Sequence, residues 1–282
     1  MIDFLIAPQG AGIGIKGFAS IPEKISAFLP NQIVIEPEEI SYTDNSNLKN
    51  LNNVIGYSNK LAQEVYNSLE NGHFPFTIGG DHSIALGTIS GAAKKYDNLG
   101  VIWIDAHGDM NTDETTISGR IHGMILSSLQ GLGDKRLVNV FEEKQKIKTE
   151  NIVIYGTRDL DVLEEKLMKE VGVKYIPYSR IKKEGILNTI REVIQYLKSK
   201  TQNIHISFDL DSMDPNIVPG VSVPVKDGFC LQDALLILKE LFNNSLNVTS
   251  FDLVEYNPHF DKNDATKNII FEICNFVTQN VR

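Results

Sequence analysis

Eight short apolar runs recur along the chain: Phe4–Ala7, Ile33–Ile35, Phe74–Ile78, Val101–Ile104, Ile152–Tyr155, Val173–Ile176, Ile204–Phe208 and Val248–Leu253. Several are continuous rather than alternating, the pattern of strands covered on both faces. The segments between them carry apolar residues at helical spacing. Asn59–Leu69 sets Leu61, Val65 and Leu69 four residues apart, and Ile186–Leu197 gathers Ile186, Ile190, Val193, Ile194 and Leu197 on one side. Leu231–Leu241 and Asn268–Val277 behave alike. The alternation predicts an α/β fold with a mainly parallel sheet of about eight strands flanked by helices. No Pro/Ser-rich stretch, low-complexity tract or repeat divides the sequence, so residues 1–282 are read as a single domain.

Composition narrows the function classes. With 42% hydrophobic and 22% charged residues in 282, the chain is ordinary globular material, and its formal net charge is -9. Its basic residues are scattered, which argues against a nucleic-acid partner. The start, Met1-Ile-Asp-Phe-Leu-Ile-Ala-Pro8, lacks a basic segment and is too short an apolar run for a signal peptide or membrane span, so a cytoplasmic location is expected. Cys230 and Cys274 sit in apolar or helical surroundings and read as free thiols.

Three of the apolar runs end in clusters of acids and histidines. Gly79-Gly-Asp81-His82-Ser83 follows Phe74–Ile78, Asp105-Ala-His107-Gly-Asp109 follows Val101–Ile104, and Asp209-Leu-Asp211 follows Ile204–Phe208. Ligands in parallel sheets bind beyond the carboxyl ends of the strands, where all three clusters lie. An unpaired buried carboxylate costs several kcal/mol or more, yet no Lys or Arg adjoins the Asp105 or Asp209 cluster. Metal ions would supply the missing positive charge. Residues 105, 107 and 109 have period-two spacing, which puts their side chains on one side if the strand continues.

His82, Asp105, His107, Asp109, Asp209 and Asp211 form an oxygen-rich set with imidazole and no thiolate. Such a set suits Mn²⁺, with Co²⁺, Fe²⁺ and Zn²⁺ as other candidates. Six ligands are too many for one catalytic ion that keeps an open position. Two divalent ions fit better, balance four aspartates, and can generate hydroxide from a shared water near neutral pH. One Asp-x-His-x-Asp alone would read as a solvated loop; three elements after three separate strands do not. His73, His205 and His259 read as turn, core-edge or surface residues.

On these residues the chain resembles the ureohydrolase family of arginases, agmatinases and formimidoylglutamases. The resemblance is carried by Gly79-Gly-Asp-His-Ser83, Asp105-Ala-His-Gly-Asp-Met-Asn-Thr112, Ser207-Phe-Asp-Leu-Asp211 and Val254-Glu-Tyr-Asn-Pro258. It implies two Mn²⁺ per subunit on the six residues above and a homo-oligomer, trimer or hexamer. The loop Asn111–His122 is most similar to arginases. There the resemblance implies that Asn111 and Ser118 hold the substrate α-carboxylate. It also implies that Asp161 and Glu164 attract the α-amino group, that His122 shuttles protons, and that Glu255 pairs with the guanidinium.

The implied reaction is L-arginine to L-ornithine and urea, by a metal-bridging hydroxide whose proton Asp109 relays to the leaving amine. Each residue has an ordinary reading as well: Asn111 and Ser118 favour turns, and Asp161 is a plausible cap for a helix running to Val171. Three departures point toward formimidoylglutamases, which release formamide from formimidoylglutamate, or toward another guanidino acid. Arg120 stands where arginases usually carry Asn, and Pro219-Gly-Val-Ser-Val-Pro224 and Glu255-Tyr-Asn-Pro-His-Phe-Asp261 are closer to formimidoylglutamases.

Gly12-Ile-Gly14-Ile-Lys-Gly17 offers a rival reading, since it follows the first run and Glu36 ends the second, as a dinucleotide fingerprint asks. Against it, Pro22 and Pro30 leave room for only a short helix, and the six metal-type residues go unexplained; the alternative is a flexible Gly-rich loop. A third reading, a metal-binding assembly subunit without turnover, has no use for His122 and Glu255.

Overall fold

In the computed structural model each of the eight apolar runs forms a strand. The residues described are 1–29, 32–40, 46–244 and 246–281, so Pro30 lies outside them. The strands are β1 (Ile2–Ala7), β2 (Ile33–Val34), β3 (Phe74–Gly79), β4 (Gly100–Ile104), β5 (Ile152–Tyr155), β6 (Lys174–Ile176), β7 (Asn203–Asp209) and β8 (Asn247–Val254). They make one sheet in the order β2-β1-β3-β8-β7-β4-β5-β6. Every pairing is parallel. The late strands β7 and β8 return to fill the middle, between β3 and β4.

The continuous apolar runs have the expected cause. Along β4, Ile102 and Ile104 face one core cluster while Val101 and Trp103 face the other. In β5, Val153 and Tyr155 divide from Ile152 and Ile154 in the same way. Helices cover both faces, so neither side of these strands meets water.

The helices Ile186–Lys198, Leu231–Asn243 and Ala265–Asn280 match their apolar stripes. The expected Asn59–Leu69 helix is longer, Leu51–Glu70, because Leu51, Val54 and Tyr57 continue its buried face. It packs on the helix Ala85–Lys95 at close range: a Cβ at Gly91 would lie 2.4 Å from the Ala62 carbonyl oxygen. Both cysteines are free, Cys274 buried and Cys230 partly so. His205 departs from its core-edge expectation. It is fully buried, 2.8 Å from Ser250 Oγ and 3.1 Å from Asp252 Oδ2. Among the described residues no helix is long and apolar enough to cross a membrane.

Candidate metal centre and active site

The carboxyl ends of four neighbouring strands, β3, β8, β7 and β4, converge on one site. His82 follows β3, Glu255 follows β8, Asp209 ends β7 and Asp105 follows β4. Two groups of metal-type side chains form there: His82, Asp105 and Asp209, and Asp105, His107 and Asp211, with ligand atoms within 4.8 Å of one another in each. Asp105 belongs to both. Its Oδ2 lies 3.1 Å from His82 Nδ1 and its Oδ1 3.5 Å from His107 Nδ1. Asp209 Oδ2 is 2.9 Å from His82 Nδ1, and Asp211 Oδ2 is 3.1 Å from His107 Nδ1. Asp109 joins through Oδ2, 3.2 Å from His82 Nδ1. All six residues expected from the sequence are therefore brought together.

They converge by turns, which corrects the expectation of a continued strand. β4 stops at Ile104, the backbone bends, and Asp109 takes a left-handed φ of 50°. Asp211 lies in a single 3-10 turn, Leu210–Ser212, whose start is capped by Asp209 accepting from the Asp211 N–H at 2.7 Å. A strand pleat would hold alternate side chains parallel; the turns aim them at shared points instead. Glu255 is also left-handed, with φ 64°. Such a conformation in a non-glycine residue costs about 1–3 kcal/mol and marks functional sites.

The residues fit a bound cation. His82 stacks on Trp103 with ring centroids 3.8 Å apart, and its Nε2 lies 2.9 Å from Ser207 Oγ. These contacts fix the ring so that Nδ1 faces the carboxylates, the arrangement by which outer residues orient a metal-bound imidazole. Three carboxylate oxygens surround that buried Nδ1, yet none meets hydrogen-bond geometry.

Charge tells the same story. Burial raises Asp109 well above the carboxylate range, and Asp105 adds to it. Burial likewise raises Asp209, helped by Asp211 and Asp105. Asp105 alone goes the other way: burial opposes its charge, but the close imidazoles of His107 and His82 hold it below the ordinary range. The ion-pair partners of these aspartates are imidazoles rather than Lys or Arg. Without added positive charge such a cluster retains protons. Divalent ions would remove the conflict.

A cavity of about 220 Å³ adjoins this centre. Its lining includes His107, Asp109, Asn111, Ser118, Arg120, His122, Asp161 and Glu164, so each substrate-side residue expected from the sequence except Glu255 borders it. Glu255 lies behind: its Oε1 accepts from the His82 N–H at 2.8 Å and stands 3.4 Å from His122 Nδ1. Its Oε2 is buried without a partner. Asn111 Nδ2 donates to Asp161 Oδ2 at 3.1 Å.

Asp161 and Glu164 also have their ordinary role, as a capping box for the helix Val162–Val171. Glu164 accepts from the N–H groups of Met110 at 2.9 Å and Asp161 at 3.3 Å. Burial nevertheless pushes its carboxyl up to about 7, against those two bonds.

Some site residues were given no role by the sequence. Thr116, Asp159 and Val223 line the cavity. Trp103 and Ser207 brace His82. Both stand two residues before an expected ligand, Asp105 and Asp209, so period two along β4 and β7 was the available clue.

The Gly12–Gly17 segment has no dinucleotide geometry. The helix after it, Ile21–Ile25, is five residues long. Nor is the segment loose: Ile13 N–H donates to Asp81 Oδ2 at 3.0 Å, and a Cβ at Gly12 would lie 2.5 Å from Ser83 Cβ. Gly12 lets this loop pack on the His82 turn.

The model of the arginase family matches residues 15–277. The chain belongs to the arginase family. The arginase of Bacillus subtilis is 45% identical over 241 residues, 86% of this chain and 80% of that protein. Its crystal structure superposes with a TM-score of 0.89 at 38% identity over 98% of both chains. The arginase of Entamoeba histolytica, solved in complex with L-ornithine, has a TM-score of 0.89 at 29% identity, covering 98% of this chain and 97% of that one. The formimidoylglutamase of Bacillus subtilis shares the fold, with a TM-score of 0.79 at 20% identity, over 99% of this chain and 86% of that one. As a member of the family this chain is a hydrolase of amidino compounds, so neither the nucleotide-binding nor the non-enzymatic reading stands.

Proposed function

We propose that this protein is a binuclear manganese enzyme that hydrolyses L-arginine to L-ornithine and urea, acting in the cytoplasm as a homotrimer or hexamer. The observation that carries the reading is one cavity bordered by both the His107 end of the metal centre and the Asn111–His122 loop. The oxygen-rich ligand set with two imidazoles favours Mn²⁺. When bound, the metal pair supplies positive charge and an activated water.

The chain's own groups do the rest. Asn111 and Ser118 donate hydrogen bonds to the α-carboxylate, while Asp161 and Glu164 attract the α-ammonium. Agmatine, which has no carboxylate, leaves those donors unmatched and is disfavoured. Glu255, with its free Oε2, pairs with the guanidinium and orients its carbon for attack. Asp109 accepts the proton of the attacking water and delivers it to the leaving amine. His122, with 18% of its side chain exposed, exchanges protons with solvent. Ornithine and urea in equal amounts from the metal-loaded protein support this reading; no urea at any metal load rejects it.

Glu164 gives a pH signature. Its carboxyl is neutral below about 7 and ionised above, and only the ionised form attracts the substrate ammonium. kcat/KM for arginine should therefore rise as pH passes through about 7. Glu164→Gln should raise KM roughly tenfold and flatten that limb; its single amide oxygen can keep the capping bond to the Asp161 N–H but gives up the bond from Met110. An unchanged pH profile in the variant would remove Glu164 from substrate binding.

Arg120 favours a second reading, in which the substrate is a formimidoyl or other amidino acid with a further carboxylate, because it borders the same cavity as Ser118. Under the arginine reading it contacts the α-carboxylate. Arg120→Asn should then raise KM for L-arginine about tenfold, since charge-assisted hydrogen bonds contribute roughly 1.5–3 kcal/mol. It should change agmatine kinetics little. Unaltered arginine kinetics would place Arg120 out of contact with substrate.

A further inference from the structure

Arg158 is the one site residue whose guanidinium is engaged throughout yet meets no carboxylate among the described residues. Its fork binds five backbone carbonyls. Nη2 donates to Asp211 O at 2.7 Å, Val225 O at 3.2 Å and Met213 O at 3.4 Å, Nη1 to Ser212 O at 3.2 Å, and Nε to Lys226 O at 3.1 Å. Asp211, Ser212 and Met213 are the end of the 3-10 turn after β7, where carbonyls lose their helical donors. Cationic side chains at such ends satisfy the last carbonyls and match their partial negative charge.

The backbone of Arg158 reaches the other way. Its N–H donates to Ala106 O at 2.8 Å, between the ligands Asp105 and His107. Ala106 N–H in turn approaches Asp211 Oδ1 at 3.4 Å. One residue thus ties the loop of Asp105 and His107 to the loop of Asp211, and these three make up one of the two metal groups. The other group shares Asp105, which is anchored independently by its N–H donating to Tyr155 O at 3.1 Å, and adds Asp209, at the end of β7, and His82, which Trp103 and Ser207 fix. The guanidinium is itself held, with its carbon 5.6 Å from the centroid of Tyr178, whose hydroxyl donates to Gly228 O at 2.6 Å.

We propose that Arg158 is a positioning residue for the metal group Asp105, His107 and Asp211, holding its two ligand loops in register without touching substrate. The inference rests on the reading that this group binds an ion. Lysine cannot replace the fork, because a single ammonium cannot reach five carbonyls spread over two segments. Loss of such outer support weakens metal binding by about 10–100-fold. The effect falls on one ion and spares the other.

The experiment is calorimetric titration of Mn²⁺ into metal-stripped wild type, Arg158→Lys and Arg158→Gln, with near-UV circular dichroism of the metal-free proteins. The wild type should take up two ions. Arg158→Lys should keep a native spectrum, bind one ion with wild-type affinity and bind the other about 10–100-fold more weakly. Arg158→Gln should shift the same ion at least as far. At saturating Mn²⁺, Arg158→Lys should regain activity with a wild-type KM, which a general structural defect would not allow. Two wild-type sites in Arg158→Lys, equal weakening of both, or loss of its native spectrum would each overturn the proposal. Failure of the wild type to bind two ions would instead reject the metal reading beneath it.

Discussion

Asp105→Asn abolishes binding of both ions together and lowers turnover by about 10³-fold or more. No other expected ligand belongs to both groups. Asp105 presents Oδ2 to His82 and Oδ1 to His107. An amide in its place puts an NH₂ group where one carboxylate oxygen met a cation, and it removes a negative charge shared by two sites. Asp211→Asn alters one group only and should cost one ion first. In the wild type, metal binding to the native state alone raises the melting temperature with metal concentration; in Asp105→Asn that rise disappears. Metal content after gel filtration, urea release and the metal-dependent melting shift check this. Two tightly held ions in Asp105→Asn would contradict the shared-ligand assignment.

Glu255→Gln keeps both ions and lowers kcat/KM for arginine by about 10²–10³-fold, the scale of removing one preorganised electrostatic group. Glu255 already accepts the His82 N–H with Oε1, a bond that a glutamine oxygen also makes. Oε2 is the buried atom without a partner. In a carboxylate it is an acceptor for guanidinium N–H groups; in the variant an NH₂ faces the same cation, and donor meets donor. His122, 3.4 Å from Glu255 Oε1, loses its negative neighbour as well. Metal analysis with steady-state kinetics decides the case. Loss of metal would show that Glu255 serves His82 rather than substrate.

The sheet was legible because burial on both faces leaves the same mark in each strand: an unbroken apolar run such as Val101–Ile104. Helices were legible where one face stayed wet. The helix Ala85–Lys95 is buried from Ala85 to Ala93 and so offered no stripe to detect. Asn52, Asn53 and Gly56 interrupted the stripe of Leu51–Glu70 where Leu51, Val54 and Tyr57 extend it.

At the site, residue type sufficed to single out the candidate ligands, since Asp and His clustered at the ends of buried strands need a cation to balance them. Their supports were hidden for the opposite reason. Trp103 and Ser207 look like ordinary strand residues until the sheet places them beside His82. Arg158 acts through backbone carbonyls, which every residue has and no sequence distinguishes. Which turns bring Asp105, His107 and Asp109 to one point was equally invisible, because the left-handed Asp109 replaces the strand pleat that its spacing suggested.

The most direct test of the arginine reading is product release from Mn²⁺-loaded protein offered L-arginine, agmatine and guanidinobutyrate in parallel, with formamide followed from formimidoylglutamate. Urea should appear from L-arginine, with far less from agmatine and guanidinobutyrate, and no formamide should form. Formamide without urea would contradict that reading, and would make Arg120 and the Pro219–Pro224 segment the better guides to substrate than the Asn111–His122 loop.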